Sequence, residues 1–172
     1  MKYRLLFPED EVRYWASKYD YPGDEVIEGF ARHSRRRGSL TKEELLELSR
    51  WKSRGRNLKR VERNAETFVK AVTATALSTK DERLKIEVLT LLSGVDWPTA
   101  SAILHFWSKG RYPILDFRAL WSLSIKKPNP YTFDFWWEYV GICRRLATKH
   151  HMKMRTLDRA LWSYSKHKQP KR

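Results

Sequence analysis

Residues 92–104 have the sequence LSGVDWPTASAIL, and residues 112–116 have the sequence YPILD. Both pieces lie within residues 81–123, the segment around which the rest of the chain is organised. Leucine, isoleucine and valine recur at helical spacing through residues 84–92, which predicts an amphipathic helix. Gly94 then ends that helix, as glycine commonly does. The segment is therefore expected to begin with a helix that runs into a tight glycine turn.

Capping residues predict where the helices of this segment begin. Thr79 and Glu82 have the spacing of a capping box, which opens the first helix. Asp96 has the position of an N-cap for the second helix, and Pro98 falls in its first turn, where a missing N–H costs little. Asp116 precedes a third helix. A helix N-terminus after such a turn presents backbone N–H groups, which suit a phosphate.

The hairpin resembles the helix-hairpin-helix motif of the HhH-GPD superfamily of DNA glycosylases, to which endonuclease III belongs. The family hairpin has the pattern LPGVGxxTA, and residues 92–100 of this chain are LSGVDWPTA. In that family the catalytic aspartate follows the first hairpin glycine at a nearly fixed interval, and Asp116 lies 22 positions after Gly94. The resemblance covers residues 81–123, and the remainder of the chain matches only in its helical pattern.

The resemblance implies a DNA glycosylase that hydrolyses the N-glycosidic bond of a damaged or modified base flipped out of DNA. Asp116 would stabilise the oxocarbenium-like transition state and activate water. In members that also cleave the backbone, a lysine four positions after the first hairpin glycine forms a Schiff base. That position is Pro98 here. The implied enzyme is therefore monofunctional, without AP-lyase activity, unless Lys52 or Lys109 brings its amine into the cleft.

Other interpretations of the motif stay open at this point. Asp116 can serve only as the cap of a helix over residues 117–124. The protein can be a non-catalytic helix-hairpin-helix protein that binds DNA by clamping phosphates. It can also be an interaction module whose charge serves an acidic protein partner. Base release separates the glycosylase from the non-catalytic DNA-binding protein, and absence of DNA affinity at moderate salt would favour the interaction module.

The expected cofactor requirement is small. The family's second hairpin glycine is Asp96 here, and a carboxylate there repels a phosphate unless a bound monovalent cation or the helix dipole offsets it. The single cysteine, Cys143, excludes an internal disulfide and the four-cysteine iron–sulfur cluster of some family members. Adjacent His150 and His151 lack a spaced third ligand, so no metal site is predicted. No small-molecule cofactor is expected.

The charge points to a polyanionic partner. The chain has 35 lysines and arginines against 20 acids, a formal net charge of +15 and a pI near 10.1. Double-stranded DNA is the expected partner. A membrane surface is disfavoured because no amphipathic anchor or lipidation signal appears. No signal peptide or apolar run of membrane-spanning length is present, and a lone cysteine suits a reducing compartment, so we expect a cytoplasmic, nucleoid-associated protein.

The sequence predicts an all-α fold, because no strand pattern of any length appears. We expect one compact helical domain over residues 1–172, with eight or nine helices and the helix-hairpin-helix motif. The basic residues 50–60 are interrupted by glycine and are expected to form a loop. A helix over residues 132–149 and a last helix capped by Thr156 complete the domain. Residues 166–172 form a basic tail that we expect to fray.

The predicted site combines the hairpin with nearby basic and aromatic residues. Asp116 is the expected catalytic residue. The residues expected to contact DNA are Gly94, Val95, Asp96, Trp97, Thr99, Ser101, Lys109, Arg111, Arg118, Lys52, Arg54 and Arg56. The residues expected to line a base pocket are Trp51, Tyr112 and Trp121, because they adjoin basic or catalytic positions. The alternative for Trp51 is that it seals the core while the neighbouring arginines face solvent.

Overall fold

The computed structural model describes residues 1–170, and every regular element in that range is helical. The prediction of an all-α fold is therefore confirmed. The α-helices are α1 (Val12–Ser17), α2 (Asp24–Ser34), α3 (Lys42–Ser53), α4 (Leu58–Val61), α5 (Glu66–Ser78), α6 (Glu82–Glu87), α7 (Trp97–Trp107), α8 (Phe117–Ser122), α9 (Phe133–Lys149) and α10 (Met154–Lys168). Two 3₁₀ segments, Glu9–Glu11 and Val88–Leu91, complete the set. Across the described residues, none of the helices has the length and apolar character needed to cross a membrane.

The chain forms two compact units. The central unit spans Tyr21–Gly110, and the terminal unit combines Met1–Asp20 with the described residues from Arg111 onward. The hairpin belongs to the central unit, whereas Asp116 belongs to the terminal unit. The expectation of one domain over residues 1–172 stays a prediction.

The central unit is built around α3, α5 and the hairpin. Thr41 opens α3 with a complete capping box, because its hydroxyl accepts the Glu44 N–H at 3.2 Å and a Glu44 carboxylate oxygen accepts the Thr41 N–H at 2.7 Å. Leu40, Leu45 and Leu48 are fully buried beside this cap. The capped start of α3 therefore places its apolar face in the core.

The basic stretch over residues 50–60 is mostly helical, so the predicted loop is wrong. α3 continues to Ser53, and a second short helix, α4, begins at Leu58. The turn between them passes through Arg54 and Gly55, which both have positive φ. Residues 54–57 alone separate two helices, and four-residue α4 is too short to show a hydrophobic period. This helix raises the count to ten α-helices among the described residues, against the predicted eight or nine.

The first helix of the hairpin is shorter than predicted. α6 ends at Glu87, continues as the 3₁₀ segment Val88–Leu91, and gives way to extended backbone at Leu92. Its cap is Asp81, whose carboxylate accepts the Leu84 N–H at 2.6 Å. The predicted cap, Thr79, instead accepts the N–H of Asp81 at 3.1 Å. Thr79 and Asp81 can both cap a helix, and in the structure the helix begins after Asp81.

The terminal unit packs α1 and α8 against α10. Trp136 and Tyr139 of α9 are fully buried and belong to the core of the terminal unit. Thr132 caps α9, with its hydroxyl accepting the Phe135 N–H at 3.3 Å, so the helix predicted over residues 132–149 is confirmed. The cap predicted at Thr156 is wrong, because α10 has its N-cap at Lys153.

The predicted basic tail is helical over its first part. Lys166 and Lys168 belong to the last turn of α10, and Lys166 forms an ion pair with Asp20. Basic groups at this end of a helix interact favourably with the helix dipole. Lys171 and Arg172, the last two residues of the predicted tail, lie outside the described residues.

Candidate functional site

The hairpin turn accepts only glycine at its centre. Gly94 has φ +81°, and a Cβ added there would lie 2.8 Å from Cγ2 of Val61 and 3.0 Å from its backbone nitrogen. Positive φ is readily adopted by glycine and strained for other residues. The Val95 N–H donates to the Leu92 carbonyl at 3.0 Å and closes the turn. Gly94 is therefore fixed both by its backbone conformation and by the approach of α4.

Two asparagines form hydrogen bonds with the hairpin turn, one just before α4 in sequence and one just after it. Asn64 donates from Nδ2 to the Ser93 carbonyl at 3.0 Å and accepts the Ser93 N–H through Oδ1 at 2.9 Å. Asn57 donates from Nδ2 to the Gly94 carbonyl at 3.3 Å. Neither asparagine was among the predicted site residues, because the short helix that they flank was not predicted.

Asp96 caps α7 as predicted. Its Oδ1 accepts the Thr99 N–H at 3.1 Å and the Thr99 hydroxyl at 2.8 Å. Pro98 lies in the first turn of α7. The Asp96 carboxylate is thus bound to its own helix, while the residue itself stays exposed.

Three predicted DNA contacts in the hairpin have buried side chains. Thr99 is 3% exposed and bonds to Asp96, and Ser101 is 0% exposed and donates its hydroxyl to the Pro98 carbonyl at 2.8 Å. Val95 is 6% exposed. These side chains pack inside the hairpin, and the prediction that these residues contact DNA stays a prediction for their backbone groups. Trp97 is half-buried.

Trp51 packs within the central unit. Its indole N–H donates to Asp24 at 3.2 Å, and its ring meets the rings of Tyr21 and Phe106 edge-on at 5.8 and 5.4 Å. Gly23 lies directly against this indole. These contacts match the alternative in which Trp51 seals the core.

The basic residues after Trp51 face solvent to different degrees. Arg54 and Arg56 are exposed, and Lys52 is half-buried. The Arg54 guanidinium lies 5.7 Å from the centre of the Tyr21 ring, and Arg56 donates from Nε to the Ser53 carbonyl at 3.1 Å. Lys109, at the end of the central unit, is exposed. The exposed cations Arg54, Arg56 and Lys109 are accessible to a polyanion.

Arg111 and Arg118 are the predicted DNA contacts of the terminal unit. Arg111 is exposed and donates to the Thr148 hydroxyl at 3.1 Å. Arg118 is half-buried, and its guanidinium lies 5.6 Å from the centre of the Trp162 ring. Stacking on an aromatic ring holds an arginine in place without neutralising it.

Asp116 is half-buried at the start of α8. Its Oδ1 accepts the Arg118 N–H at 2.9 Å, so Asp116 caps α8, as the alternative interpretation expected, and its catalytic role stays a prediction. The carboxylate is not sealed inside the terminal unit. A capping carboxylate at a helix N-terminus sits in the favourable field of the helix dipole.

The link that leads to Asp116 is part of the core. Tyr112 is 2% exposed, stacks on Trp136 at 5.8 Å, and carries the Arg144 guanidinium 5.0 Å from its ring centre. The ring is buried against Trp136 and Arg144, so Tyr112 does not fit the predicted base pocket. Trp121 is half-buried and stacks on Tyr164 at 5.8 Å.

Two buried side chains hold the main chain of Ile114, two residues before Asp116. The Ile114 N–H donates to a carboxyl oxygen of Asp158 at 3.2 Å, and the Tyr139 hydroxyl donates to the Ile114 carbonyl at 2.9 Å. Burial raises the pKa of the Tyr139 hydroxyl well above its usual range, so it stays a donor. Sequence reasoning missed both residues. A carboxylate on the apolar face of α10 was the available signal for Asp158.

Residues 1–170 contain no cluster of three or more histidine, cysteine, aspartate or glutamate side chains that could hold a metal ion. His150 contacts Glu9 at 2.9 Å in an ion pair that also includes Lys149. Burial raises the pKa of the Cys143 thiol well above its usual range, so the thiol is neutral. A neutral buried thiol is not a nucleophile.

No protein-family model matches the chain, and the searches of curated proteins and of solved structures gave no significant match.

Proposed function

We propose that the protein is a monofunctional DNA glycosylase that hydrolyses the N-glycosidic bond of a damaged or modified base flipped out of double-stranded DNA. The observation that carries the proposal is the half-buried Asp116 carboxylate at the N-cap of α8, 22 positions after the glycine of a closed hairpin turn. The net charge of +15 supports a nucleic-acid substrate. Such an enzyme acts on the nucleoid in the cytoplasm.

Asp116 is suited to the proposed chemistry. Breaking the N-glycosidic bond builds positive charge on the sugar, and a fixed carboxylate beside the anomeric carbon stabilises that charge more in the transition state than in the ground state. The bond from the Arg118 N–H occupies Oδ1 and orients the group. The same carboxylate can then take a proton from the attacking water.

Pro98 supports hydrolysis rather than backbone cleavage. It lies at the position where family members with lyase activity carry the lysine that forms a Schiff base, and proline has no side-chain amine. Its place in the first turn of α7 is structural. The proposed products are therefore a free base and an intact strand with an abasic site.

The decisive experiment is mass-spectrometric detection of free bases released from genomic DNAs of varied modification content. Asp116→Asn is the informative variant, because asparagine caps a helix as well as aspartate and the fold is retained. We expect the wild type to release a base and Asp116→Asn to bind DNA without releasing one. The matched control is Asp134→Asn, an exposed aspartate in the first turn of α9, which should release the base at the wild-type rate.

A second candidate is a non-catalytic DNA-binding protein with the same hairpin. The observation in its favour is that Asp116 and Asp96 each already have a structural role as a helix cap. This candidate predicts salt-sensitive DNA binding without base release from any DNA of the panel. A protein without measurable DNA affinity at moderate salt would instead be an interaction module for an acidic protein partner.

A further inference from the structure

We infer that α4 and the hairpin turn form one phosphate-binding surface, in which Lys59, Arg60 and Arg63 contact the backbone of DNA. This inference rests on the nucleic-acid binding in the proposed function and does not require catalysis. It adds three residues to the predicted contacts and centres the interface of the central unit on α4.

The charge of this region is the first argument. Residues 50–63 include seven lysines and arginines and a single acid, Glu62. Lys59, Arg60 and Arg63 are all exposed. A surface with this excess of one sign raises the local concentration of a polyanion and speeds its association. Phosphodiesters are the matching ligand, because each lysine or arginine contact neutralises one phosphate charge.

The second argument is that these cations are not neutralised within the protein. On α5 and α6 of the central unit, exposed cations have acidic partners, in the pairs Lys70–Glu66 at 2.9 Å and Arg83–Glu87 at 3.0 Å. Across residues 1–170, by contrast, Lys59, Arg60 and Arg63 take part in no ion pair. A solvated, charge-balanced helix face would show the pairing seen on α5 and α6.

The third argument is that α4 has a fixed position against the hairpin turn. The bonds from Asn57 and Asn64 hold the carbonyls of Gly94 and Ser93 from the two ends of α4. The Cβ of Arg60 lies 3.1 Å from the position that a Cβ on Gly94 would occupy. The Arg60 side chain therefore starts beside the turn, and the surface is preorganised for an extended ligand.

The test measures the salt dependence of DNA binding by fluorescence anisotropy, with a fluorescein-labelled duplex of about 20 base pairs as the probe. The variant combines Lys59→Gln, Arg60→Gln and Arg63→Gln. We expect the slope of log K against log salt concentration to fall in magnitude by about 2–3, since each lost phosphate contact removes about 0.9 from it. We expect the Kd to rise roughly tenfold or more at about 0.1 M salt.

The matched control combines Arg32→Gln, Arg36→Gln and Lys80→Gln, which removes the same charge from exposed residues of the same unit outside α4 and the hairpin. The control should keep most of the wild-type slope. The inference is overturned if the α4 variant keeps the wild-type slope and Kd, or if the control loses as much. Circular dichroism checks the fold, and the three single substitutions, each expected to lower the slope by about 1, test the same surface if the triple variant unfolds.

Failure of this inference is separable from failure of the proposed enzyme. If the wild type binds DNA and the α4 variant binds it with the same slope and Kd, the proposed surface is wrong and the glycosylase proposal is unaffected. If the α4 variant has a lowered slope but the wild type releases no base from any DNA, the surface is supported and the non-catalytic protein is favoured.

Discussion

Asn64 and Ser93 exchange two hydrogen bonds across 29 residues of sequence, Nδ2 to the Ser93 carbonyl at 3.0 Å and the Ser93 N–H to Oδ1 at 2.9 Å. Asn64 is 5% exposed, and its Nδ2 also donates to the Val61 carbonyl at 2.8 Å. One buried amide thus satisfies backbone groups on both sides of the contact between α4 and the turn. Without this side chain the contact would lose these three hydrogen bonds.

Asn64→Ala should destabilise the protein. The substitution removes the hydrogen bonds to the Ser93 N–H and carbonyl, and because Ser93 is exposed each loss should cost about 0.5–1.5 kcal/mol. Urea unfolding followed by circular dichroism measures the change in the free energy of unfolding. Thr67→Ala, an exposed residue of α5, is the control and should stay within about 0.5 kcal/mol of the wild type. A loss no larger than that of the control would contradict the structural role of Asn64.

Glycine substitutions should rank by local geometry. Gly94→Ala combines a strained φ of +81° with a Cβ 2.8 Å from Val61, whereas Gly38→Ala has a similar φ of +74° and open space. We expect a loss of about 1–2 kcal/mol for Gly38→Ala from backbone strain alone and a larger loss for Gly94→Ala. Gly29→Ala, within α2 and with open space, should stabilise by about 0.5–1 kcal/mol. Denaturant midpoints give the order, and equal losses at Gly94 and Gly38 would refute the steric argument.

Cys143 should report on unfolding of the terminal unit. Its side chain is fully buried and burial raises the pKa of the thiol, so both access and thiolate formation are suppressed. We expect no labelling of the native protein by a thiol reagent on the timescale of minutes and complete labelling in guanidinium chloride. Rapid labelling of the native state would show that α9 opens readily.

The contribution of Glu9 to the free energy of unfolding should be lost as the pH falls into the acid range. The hydrogen bond from Lys149 is the main cause that lowers the pKa of Glu9 below its ordinary value of 4.5. A lowered folded-state pKa contributes stability above the unfolded value, and that stability is lost as pH falls through the folded value. Glu9→Gln should therefore be less stable than the wild type at pH 7, by a small amount because the pair is exposed, and the difference should vanish in strong acid. Asp10→Asn, at the neighbouring exposed position, is the control for charge alone.

The elements that sequence reasoning placed correctly share a local origin. Asp96, Asp116 and Thr132 cap the helices that follow them, and each accepts an N–H two or three residues later. Such contacts are encoded within four residues and are visible in the sequence. The same reasoning chose Thr79 over Asp81, because both are good caps and only packing decides between them.

The features that could not be predicted from the sequence depend on contacts between residues that are distant along the chain. The bond from Asn64 to Ser93 spans 29 positions, and those from Tyr139 and Asp158 to Ile114 span 25 and 44. Nothing in a local pattern distinguishes Asn64 from a solvated polar residue, and only the apolar surroundings of Asp158 on its helix marked it out. Tyr112 shows the converse error: proximity to Asp116 in sequence suggested a pocket, whereas packing on Trp136 buries its ring.

Tyr139→Phe should separate positioning from stability in the proposed enzyme. The variant keeps the ring and removes the hydroxyl that bonds the Ile114 carbonyl, which should cost about 1–2 kcal/mol of unfolding free energy. Because Asp116 follows two residues later, we expect kcat for base release to fall with little change in the Kd for DNA. Tyr14→Phe, at a 53% exposed position, is the control and should leave both unchanged. Wild-type kcat in a Tyr139→Phe protein that is measurably less stable would show that the carboxylate is held by its α8 cap alone.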